Sequence, residues 1–309
     1  MRNQFCDALV ALADRPDLVF LTGDLGFMAL EPLQAALKDR FINAGVAEQN
    51  MLSVAAALAK QGFSAWAYSI APFCYARPFE QIRNDAAFHN LPVKIVGNGG
   101  GYGYGVMGPT HHAIEDYGIL LTLPNTRAFA PVFDEDVEAV VSKMMDSPGV
   151  CYLRLGRGEP PAAWTVPAYK PWRQLTEGGG PVVIAVGPLA GTYIQSFNAI
   201  NVAQRPNLWA VAELPLSANP VPDRLLSAIA ASEQFFVAEE HVRQGSFGAD
   251  LALYLMGKSA IRNARIRHLY AKAHHFSKYG SQHYLRRASR LDPISMIAAI
   301  ENRFSEPAE

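Results

Sequence analysis

Cysteine is scarce in this sequence, and long apolar runs are missing. Of 309 residues only three are cysteines, Cys6, Cys74 and Cys151, and none of them belongs to a CxxC pattern. A small, odd number of thiols favours a reduced, cytoplasmic protein over a disulfide-stapled secreted one. No run of about twenty apolar residues occurs, so we expect no membrane-spanning helix. Asp7 and Asp14 interrupt the first apolar stretch, and we therefore expect no signal peptide.

The sequence also lacks an excess of charge of either sign. Its 27 Lys and Arg residues nearly balance 28 Asp and Glu residues, which gives a net charge of −1 and an isoelectric point near 6.7. Such a balance gives no electrostatic footprint for nucleic acid or for an anionic membrane, and we expect neither as a partner. Half of the residues are hydrophobic. This high share indicates a large subunit interface and hence self-association.

Short apolar strands alternate with helical patterns along the chain. This alternation predicts an α/β fold of two domains, each a mainly parallel sheet flanked by helices. A proline- and glycine-rich stretch without clear periodicity lies between Gly156 and Gly180 and is typical of a linker. We therefore predict a first domain over residues 1–160, a linker over 161–180 and a second, smaller domain over 181–309.

One carboxylate stands in an otherwise apolar helical run. Glu48 is the single charged residue between Arg40 and Lys60, and Leu52 and the alanines that follow it are apolar. An acid in the first turn of a helix is stabilised by the helix dipole, and it is often simply solvated there. Position alone therefore leaves open whether Glu48 has a function.

The phrase around Glu48 resembles a signature of the transketolase family of thiamine-diphosphate enzymes. "GVAEQNM" fits the family pattern G-[IV]-x-E-x-x-M, in which the buried Glu hydrogen-bonds a ring nitrogen of the aminopyrimidine and promotes its protonation. Further segments, in order along the chain, are similar to the family: "TGDLG", "FEQIRNDAAFHNLPVKIVG", "GPTHHAIEDYGILLTLPN", "YLRLGR" and "VAEEHVRQGSFGADL". The resemblance covers nearly the whole chain and implies a pyrimidine-binding domain followed by the family's C-terminal domain.

The diphosphate-binding half of such enzymes is missing from this sequence. Full-length transketolases carry a GDG motif followed by an Asn, which together hold the metal on the diphosphate. In "TGDLG" the residue after Asp24 is Leu25 instead of glycine. The resemblance therefore implies a thiamine-diphosphate enzyme whose diphosphate-binding domain, with its Mg²⁺ or Ca²⁺, is a separate partner subunit. It also implies a heterodimer or a two-fold heterotetramer that acts on a small-molecule donor and acceptor.

The resemblance assigns roles to several residues on the cofactor side. Glu48 and His111 match the catalytic positions, since the family His exchanges protons with the substrate. Phe73 matches the aromatic residue that stacks on the aminopyrimidine. Ile70 stands where relatives have a second Phe, and Asp24 lies in the segment that opens the domain. We therefore expect Glu48, Phe73, Ile70 and Asp24 to contact the cofactor.

The substrate side departs from the family pattern. Met107 occupies the position where relatives read a sugar hydroxyl with Asp, and Gly99 lies where a phosphate-binding His is expected. His112 replaces the Gln of "THQ", and only Arg157 remains of the phosphate-binding set. Unpaired sugar hydroxyls in a dry site cost about 1–3 kcal/mol each. We expect these residues and His111 to line a site for a less hydroxylated or unphosphorylated acceptor.

Other patterns in the sequence predict no ligand site. His111–His112 and His274–His275 are adjacent pairs, and neighbouring side chains diverge, so we predict no metal site in this chain. The glycine-rich segment Gly97–Gly105 fits neither GxGxxG nor a P-loop. It is interpreted as a loop at the carboxyl edge of the sheet.

Three functions remain open from the sequence. The first is a subunit of a two-component transketolase-like enzyme that transfers a ketol or acyl unit to an aldehyde or ketone acceptor in specialised metabolism. The second is another enzyme of the superfamily, either a deoxyxylulose-phosphate synthase-like ligase or the β subunit of a 2-oxo acid dehydrogenase. The third is a non-catalytic paralogue that uses the fold for assembly. Glu48 speaks against the third, because packing requires no carboxylate there.

Overall fold

The computed structural model describes residues 1–158, 160–258, 264–272, 274 and 279–302. Within these ranges the strands are β1 (Leu18–Thr22), β2 (Phe41–Asn43), β3 (Ser64–Ile70), β4 (Val93–Asn98), β5 (Thr126–Phe129), β6 (Val150–Leu155), β7 (Trp172–Gln174), β8 (Val182–Val186), β9 (Asn207–Val211), β10 (Glu213–Leu214), β11 (Gln234–Glu239) and β12 (Arg265–Tyr270). The helices are α1 (Arg2–Ala11), α2 (Glu31–Leu37), α3 (Glu48–Lys60), α4 (Ala71–Tyr75), α5 (Phe79–Gln81), α6 (Asp116–Leu120), α7 (Val137–Met145), α8 (Leu189–Asn198), α9 (Asp223–Ala230), α10 (Phe247–Met256), α11 (Gln282–Ala288) and α12 (Pro293–Ile300). Short 3₁₀ turns cover Lys38–Arg40, Gly105–Met107, Pro109–His111 and Asp134–Asp136, and a π-helical turn covers Ile82–Ala87.

The first sheet has seven strands in the order β10-β5-β6-β4-β3-β1-β2. All neighbours are parallel except β10, which pairs antiparallel with β5. Strand β1 shows why both faces are buried: Leu18 and Phe20 pack in the core with α1, α2 and α7, while Val19 and Leu21 pack in the core with α3. A continuous apolar run is typical of a strand covered on both faces.

The second sheet has five strands in the order β12-β11-β8-β9-β7. Its strands are parallel apart from β7, which runs antiparallel to β9. Tyr193 of α8 and Met296 of α12 pack in the core on one face, and Leu225 of α9 and Leu251 of α10 pack in the core on the other. The predicted α/β fold of two mainly parallel sheets flanked by helices is therefore confirmed.

Two short strands interlock the two halves of the chain. Strand β7 lies inside the range 161–180 that the sequence predicts to be a linker, yet it belongs to the second sheet. Strand β10 comes from the second half but completes the first sheet, and its Glu213 bonds Lys143 of α7 at 2.6 and 2.7 Å. The boundaries at 160 and 181 stay predictions. Neither short strand shows a recognisable period in the sequence.

A buried acidic pair at the end of β11 fastens the second domain to the first. Glu239 is fully buried and accepts hydrogen bonds from the Tyr117 hydroxyl of α6, from the amides of Phe247 and Gly248 at 3.1 and 2.7 Å, and from His268 at 2.7 Å. Both of its oxygens are thereby used. Its partners come from both domains, so this carboxylate serves the packing between them.

The next residue, Glu240, is bonded in the same complete way. It accepts from Arg286 at 2.8 Å, from the Gln282 amide at 3.0 Å and from the Tyr102 backbone amide at 3.3 Å. His241 follows and accepts a hydrogen bond from the Gly118 amide through Nε2 at 3.1 Å. The "EEH" segment is therefore an interdomain joint, in which Glu239 and His241 reach α6 of the first domain and Glu240 reaches the backbone of Tyr102.

Candidate active site

The predicted site residues gather at one edge of the first sheet. Ile70 ends β3 and Phe73 comes shortly after it, Gly99 follows β4 and Arg157 follows β6, so each lies at or just beyond the carboxyl end of a parallel strand. This edge is where open parallel sheets bind ligands. Glu48 joins them because the loop after β2 leads directly into α3.

Glu48 is the first residue of α3 and is only 6% exposed. Its Oε1 accepts a hydrogen bond from Arg77 Nη1 at 2.9 Å. Within the described part of the chain, no hydrogen-bond donor contacts the other oxygen, Oε2. The carboxylate is thus buried, paired on one side and free on the other. A buried acid with spare bonding capacity is an arrangement that packing alone does not require.

Two aromatic rings lie beside Arg77, the partner of this carboxylate. The Arg77 guanidinium carbon lies 4.1 Å from the centroid of the Phe73 ring. The His111 ring meets Phe73 edge-on, with centroids 5.1 Å apart. Burial, and after it the positive charge of Arg77, lowers the pKa of His111 below its usual value. His111 is therefore neutral at pH 7 and able to accept a proton.

The glycine-rich loop after β4 carries a ring that sequence reasoning overlooked. Gly99 has φ of +80°, and any Cβ there would collide with the ring of Tyr104. The Tyr104 hydroxyl accepts a hydrogen bond from the Asn98 amide at 2.7 Å, and its ring centroid lies 6.3 Å from that of His111. Tyr104 thus fills the space that a side chain at position 99 would take.

A cavity of about 410 Å³ opens beside this ring. Gly99, Tyr104 and Arg157 line it together with residues of α1, among them Arg2. The two arginines give it a positive character. From this cavity, the rings of Tyr104, His111 and Phe73 lead to Arg77, which bonds Glu48.

Met107 lies in the 3₁₀ turn just before "GPTH". Its side chain is 55% exposed. Gly108, the next residue, has φ of +84°, and a Cβ there would meet the ring of Tyr279 from the second domain. The turn that presents Met107 is therefore held between the two domains.

Two other predicted residues lie outside the Glu48–His111 cluster. His112 is buried against Tyr102, with ring centroids 5.2 Å apart, and its ring stacks with that of His274 at 6.0 Å. Asp24 is exposed and accepts from the Asn43 amide at 3.1 Å. Asn43 in turn accepts from the Gly45 amide at 2.9 Å, so Asp24 supports the turn that precedes Glu48. The proposed contacts of both residues with ligands stay predictions.

The most consequential residue absent from the sequence-based set is Arg77. It follows Phe73 by four residues, one helical turn, in "FCYARPF". That spacing could have indicated a cation over an aromatic ring, but it gives no sign of Glu48, which is distant in sequence. Glu115 was also missed: it accepts from the Tyr75 hydroxyl at 3.2 Å and bonds His274 of the second domain.

Residues 1–162 match the family described as the transketolase pyrimidine-binding domain. The chain belongs to the transketolase family. A subunit of apulose-4-phosphate transketolase from Phocaeicola vulgatus is 29% identical over 255 residues, covering 80% of this chain and 81% of that one. A solved structure described as a split gene transketolase, inactive beta4 tetramer, matches with a TM-score of 0.83 and 27% identity over 97% of each chain. The chain is thus of the C-terminal-half, split transketolase kind.

A longer relative shows how much of a complete transketolase-family enzyme this chain represents. The 1-deoxy-D-xylulose-5-phosphate synthase from Syntrophotalea carbinolica is 28% identical over 308 residues, which cover 96% of this chain but 47% of the relative. The transketolase family depends on thiamine diphosphate. In the described residues no group of three or more His, Cys, Asp or Glu side chains could hold a metal ion. Nor is any described helix both long and apolar enough to cross a membrane.

The pocket around Glu48 suits the aminopyrimidine end of thiamine diphosphate. Its open Oε2 can accept a hydrogen bond from a ring nitrogen, and the Phe73 ring lies one residue away, on the other side of the Arg77 guanidinium. A flat heteroaromatic ring is held well by such a combination of one polar contact and aromatic packing.

Proposed function

We propose that this chain is the pyrimidine-binding subunit of a two-component, thiamine-diphosphate-dependent transketolase-like enzyme. It would transfer a ketol or acyl unit from a small donor to an aldehyde or ketone acceptor. The observation that carries the proposal is the free oxygen of buried Glu48. When bound, the cofactor supplies the nucleophilic carbon that attacks the donor carbonyl.

The chain's own residues would prepare that chemistry. Glu48 offers a carboxylate oxygen to the aminopyrimidine, and Phe73 packs beside it. His111, kept neutral, accepts a proton from a substrate hydroxyl and returns it later in the cycle. Arg157 in the adjoining cavity would attract an anionic group of the donor or acceptor.

The acceptor is expected to be poorer in hydroxyl groups than a pentose phosphate. Met107 offers a thioether where relatives have a hydroxyl-reading Asp. Tyr104 narrows the space beside Gly99 that a phosphate-binding His would otherwise occupy. Both features favour a smaller or more apolar acceptor.

Activity is expected only with a diphosphate-binding partner subunit, which would also hold Mg²⁺ or Ca²⁺. The solved relative supports this expectation, since it is described as a beta4 tetramer and as inactive. We expect a two-fold heterotetramer, as is usual when sites form between subunits.

Reconstitution tests the proposal. The chain alone, with thiamine diphosphate and magnesium, should turn over no ketol donor, whereas the chain mixed with its diphosphate-binding partner should consume one. Calorimetry should detect cofactor binding only in the mixture. Turnover by the chain alone, or a mixture that binds no thiamine diphosphate, would contradict the proposed function.

A further inference from the structure

Arg77 is the cation that pairs with Glu48, and it uses only half of the carboxylate. Its Nη1 donates to Oε1 at 2.9 Å, which is a single hydrogen bond instead of the two-bond fork that arginine often makes with carboxylates. Among the described residues, Oε2 keeps no donor. The ion pair is therefore incomplete at Oε2.

Arg77 is itself held in place from a second direction. Its side chain is 47% exposed, yet its guanidinium lies 4.1 Å from the centroid of the Phe73 ring. Phe73 belongs to α4, and Arg77 lies in the turn between α4 and α5, followed by Pro78. Glu48 belongs to α3. The guanidinium thus joins the helix that carries the carboxylate to the helix that carries the stacking ring.

We propose that Arg77 is a positioning residue for the cofactor, because it holds Glu48 by Oε1 and so leaves Oε2 aimed at the aminopyrimidine ring nitrogen. The inference rests on the proposed function, since it concerns the same site. A carboxylate with both oxygens free would rotate about its terminal bond, and the ring would have to order it on binding. Arg77 orders it beforehand.

The same cation acts on the other catalytic candidate. Besides burial, the charge of Arg77 lowers the pKa of His111. One guanidinium therefore forms the ion pair with Glu48 and adds to the effect of burial in lowering the pKa of His111. An opposite role is conceivable for a cation in this place: it could stand where the aminopyrimidine binds and be displaced by it. The single bond to Oε1 favours positioning, because a displaced placeholder would be expected to cover both oxygens.

The experiment measures thiamine diphosphate affinity by calorimetry, in the complex of this chain with its diphosphate-binding partner and with magnesium present. Arg77→Met keeps length and apolar contact but removes the charge, and it should weaken cofactor binding about tenfold, the usual effect of losing one charged hydrogen bond. Arg77→Lys keeps the charge. Its loss in the free energy of cofactor binding should be at most half of the loss seen with Arg77→Met. If Arg77→Met does not fold, Arg77→Gln takes its place.

Arg83→Met is the matched control. Arg83 is exposed and stacks over Phe88 at 4.7 Å in the same way, but its hydrogen bond goes to Asn84 instead of a carboxylate. Its replacement should leave the affinity unchanged. Unchanged affinity in Arg77→Met would overturn the inference, and tighter binding would show displacement instead. If the unmodified complex bound no cofactor, the proposed function itself would fail, and the inference with it.

Discussion

Three buried glutamates, two in the second domain and one in the first, are bonded in opposite ways. Glu239 and Glu240, at the interdomain joint, are surrounded by donors that occupy all their oxygens. Glu48, in the pyrimidine pocket, has one donor and one open oxygen. Buried Asp116 also has one oxygen without a partner among the described residues, while its other oxygen accepts from Arg154 and Tyr152. An open oxygen alone therefore does not separate a binding group from a structural one. Glu48 differs from Asp116 in its partner, since the side chain of Arg77 is 47% exposed and that of Arg154 is 4% exposed.

The ion pairs of Glu240 and Glu48 differ in how far they are exposed to solvent. Glu240 lies against Arg286, and both side chains are 5% exposed, so the ion pair is sealed inside the protein. In the other pair, the side chain of Glu48 is 6% exposed but that of Arg77 is 47% exposed, so one partner remains in contact with solvent. The pair at the joint is sealed from water, and the pair at Glu48 is not.

The largest expected effect is on activation of the cofactor, and it comes from removing the charge of Glu48. Glu48→Gln keeps the shape but cannot promote protonation of the ring nitrogen. In the reconstituted complex, exchange of the cofactor's thiazolium proton, followed by NMR, should slow by about 10³-fold. The unfolding transition of the chain should hardly move. An unchanged exchange rate would mean that Glu48 is not the activating group.

The second largest effect is a loss of stability at the interdomain joint, instead of a loss of cofactor activation. Glu240→Gln leaves Arg286 buried without a counter-charge, and it should lower the free energy of unfolding by about 3 kcal/mol. Urea denaturation followed by circular dichroism measures this change. The control is Glu177→Gln, whose ion pair with Arg224 is exposed and should contribute well under about 1 kcal/mol. Equal effects of the two substitutions would remove the distinction between the joint and the surface.

Low pH should reduce the contribution that Glu240 at the interdomain joint makes to stability, and it should do so within a defined pH range. Burial acts to raise the pKa of Glu240, but Arg286, Arg154 and Gln282 outweigh it, and the pKa lies below the usual value. The contribution to stability is therefore complete above the unfolded-state pKa of about 4.3 and is lost as pH falls from there through the lower folded-state pKa.

Denaturation midpoints measured at several pH values between about 3.5 and 7 check this expectation. The native protein should lose stability more steeply below about pH 4.3 than Glu240→Gln, which has no proton to take up at that position. Parallel curves for the two proteins would show that Glu240 contributes nothing to the acid sensitivity.

The smallest effect concerns substrate choice at the rim of the pocket. Met107→Asp installs the polar side chain that the family resemblance leads us to expect at this position, and it should raise the preference in kcat/KM for polyhydroxylated aldehydes by roughly fivefold, the value of about one hydrogen bond. Full pentose-phosphate transfer should not return, because Gly99 and Tyr104 still close the phosphate end. An equal loss toward all acceptors would make Met107 a packing residue.

Much of the fold was predictable because its signals are local. Apolar runs such as Leu18–Thr22 and Val182–Val186 indicate strands buried on both faces, and the acidic first turn of Glu48–Lys60 indicates a helix start. The strands β7 and β10 were missed, since two or three residues carry no period and their pairing is decided by distant partners.

The residues of the candidate site also include some that local sequence patterns indicated and some that only the folded chain reveals. Glu48 and Phe73 were predicted through phrases that resemble a known family, and in the structure Arg77 contacts both of them. The ion pair itself joins residues 29 positions apart and leaves no pattern in the sequence. Tyr104 was hidden for a related reason, because a lone aromatic in a glycine-rich loop shows its role only when the loop is folded.

Strand β10 has a consequence for how the protein is made. The first sheet needs Glu213 and Leu214 to cover the edge of β5, and Lys143 needs Glu213 as its partner. A nascent chain that has just emerged as far as residue 160 therefore displays an uncapped edge strand, which can pair with a neighbouring polypeptide. Synthesis must proceed through residue 214 before this edge is capped, so the interval on the ribosome is the stage at which the polypeptide most needs chaperone protection.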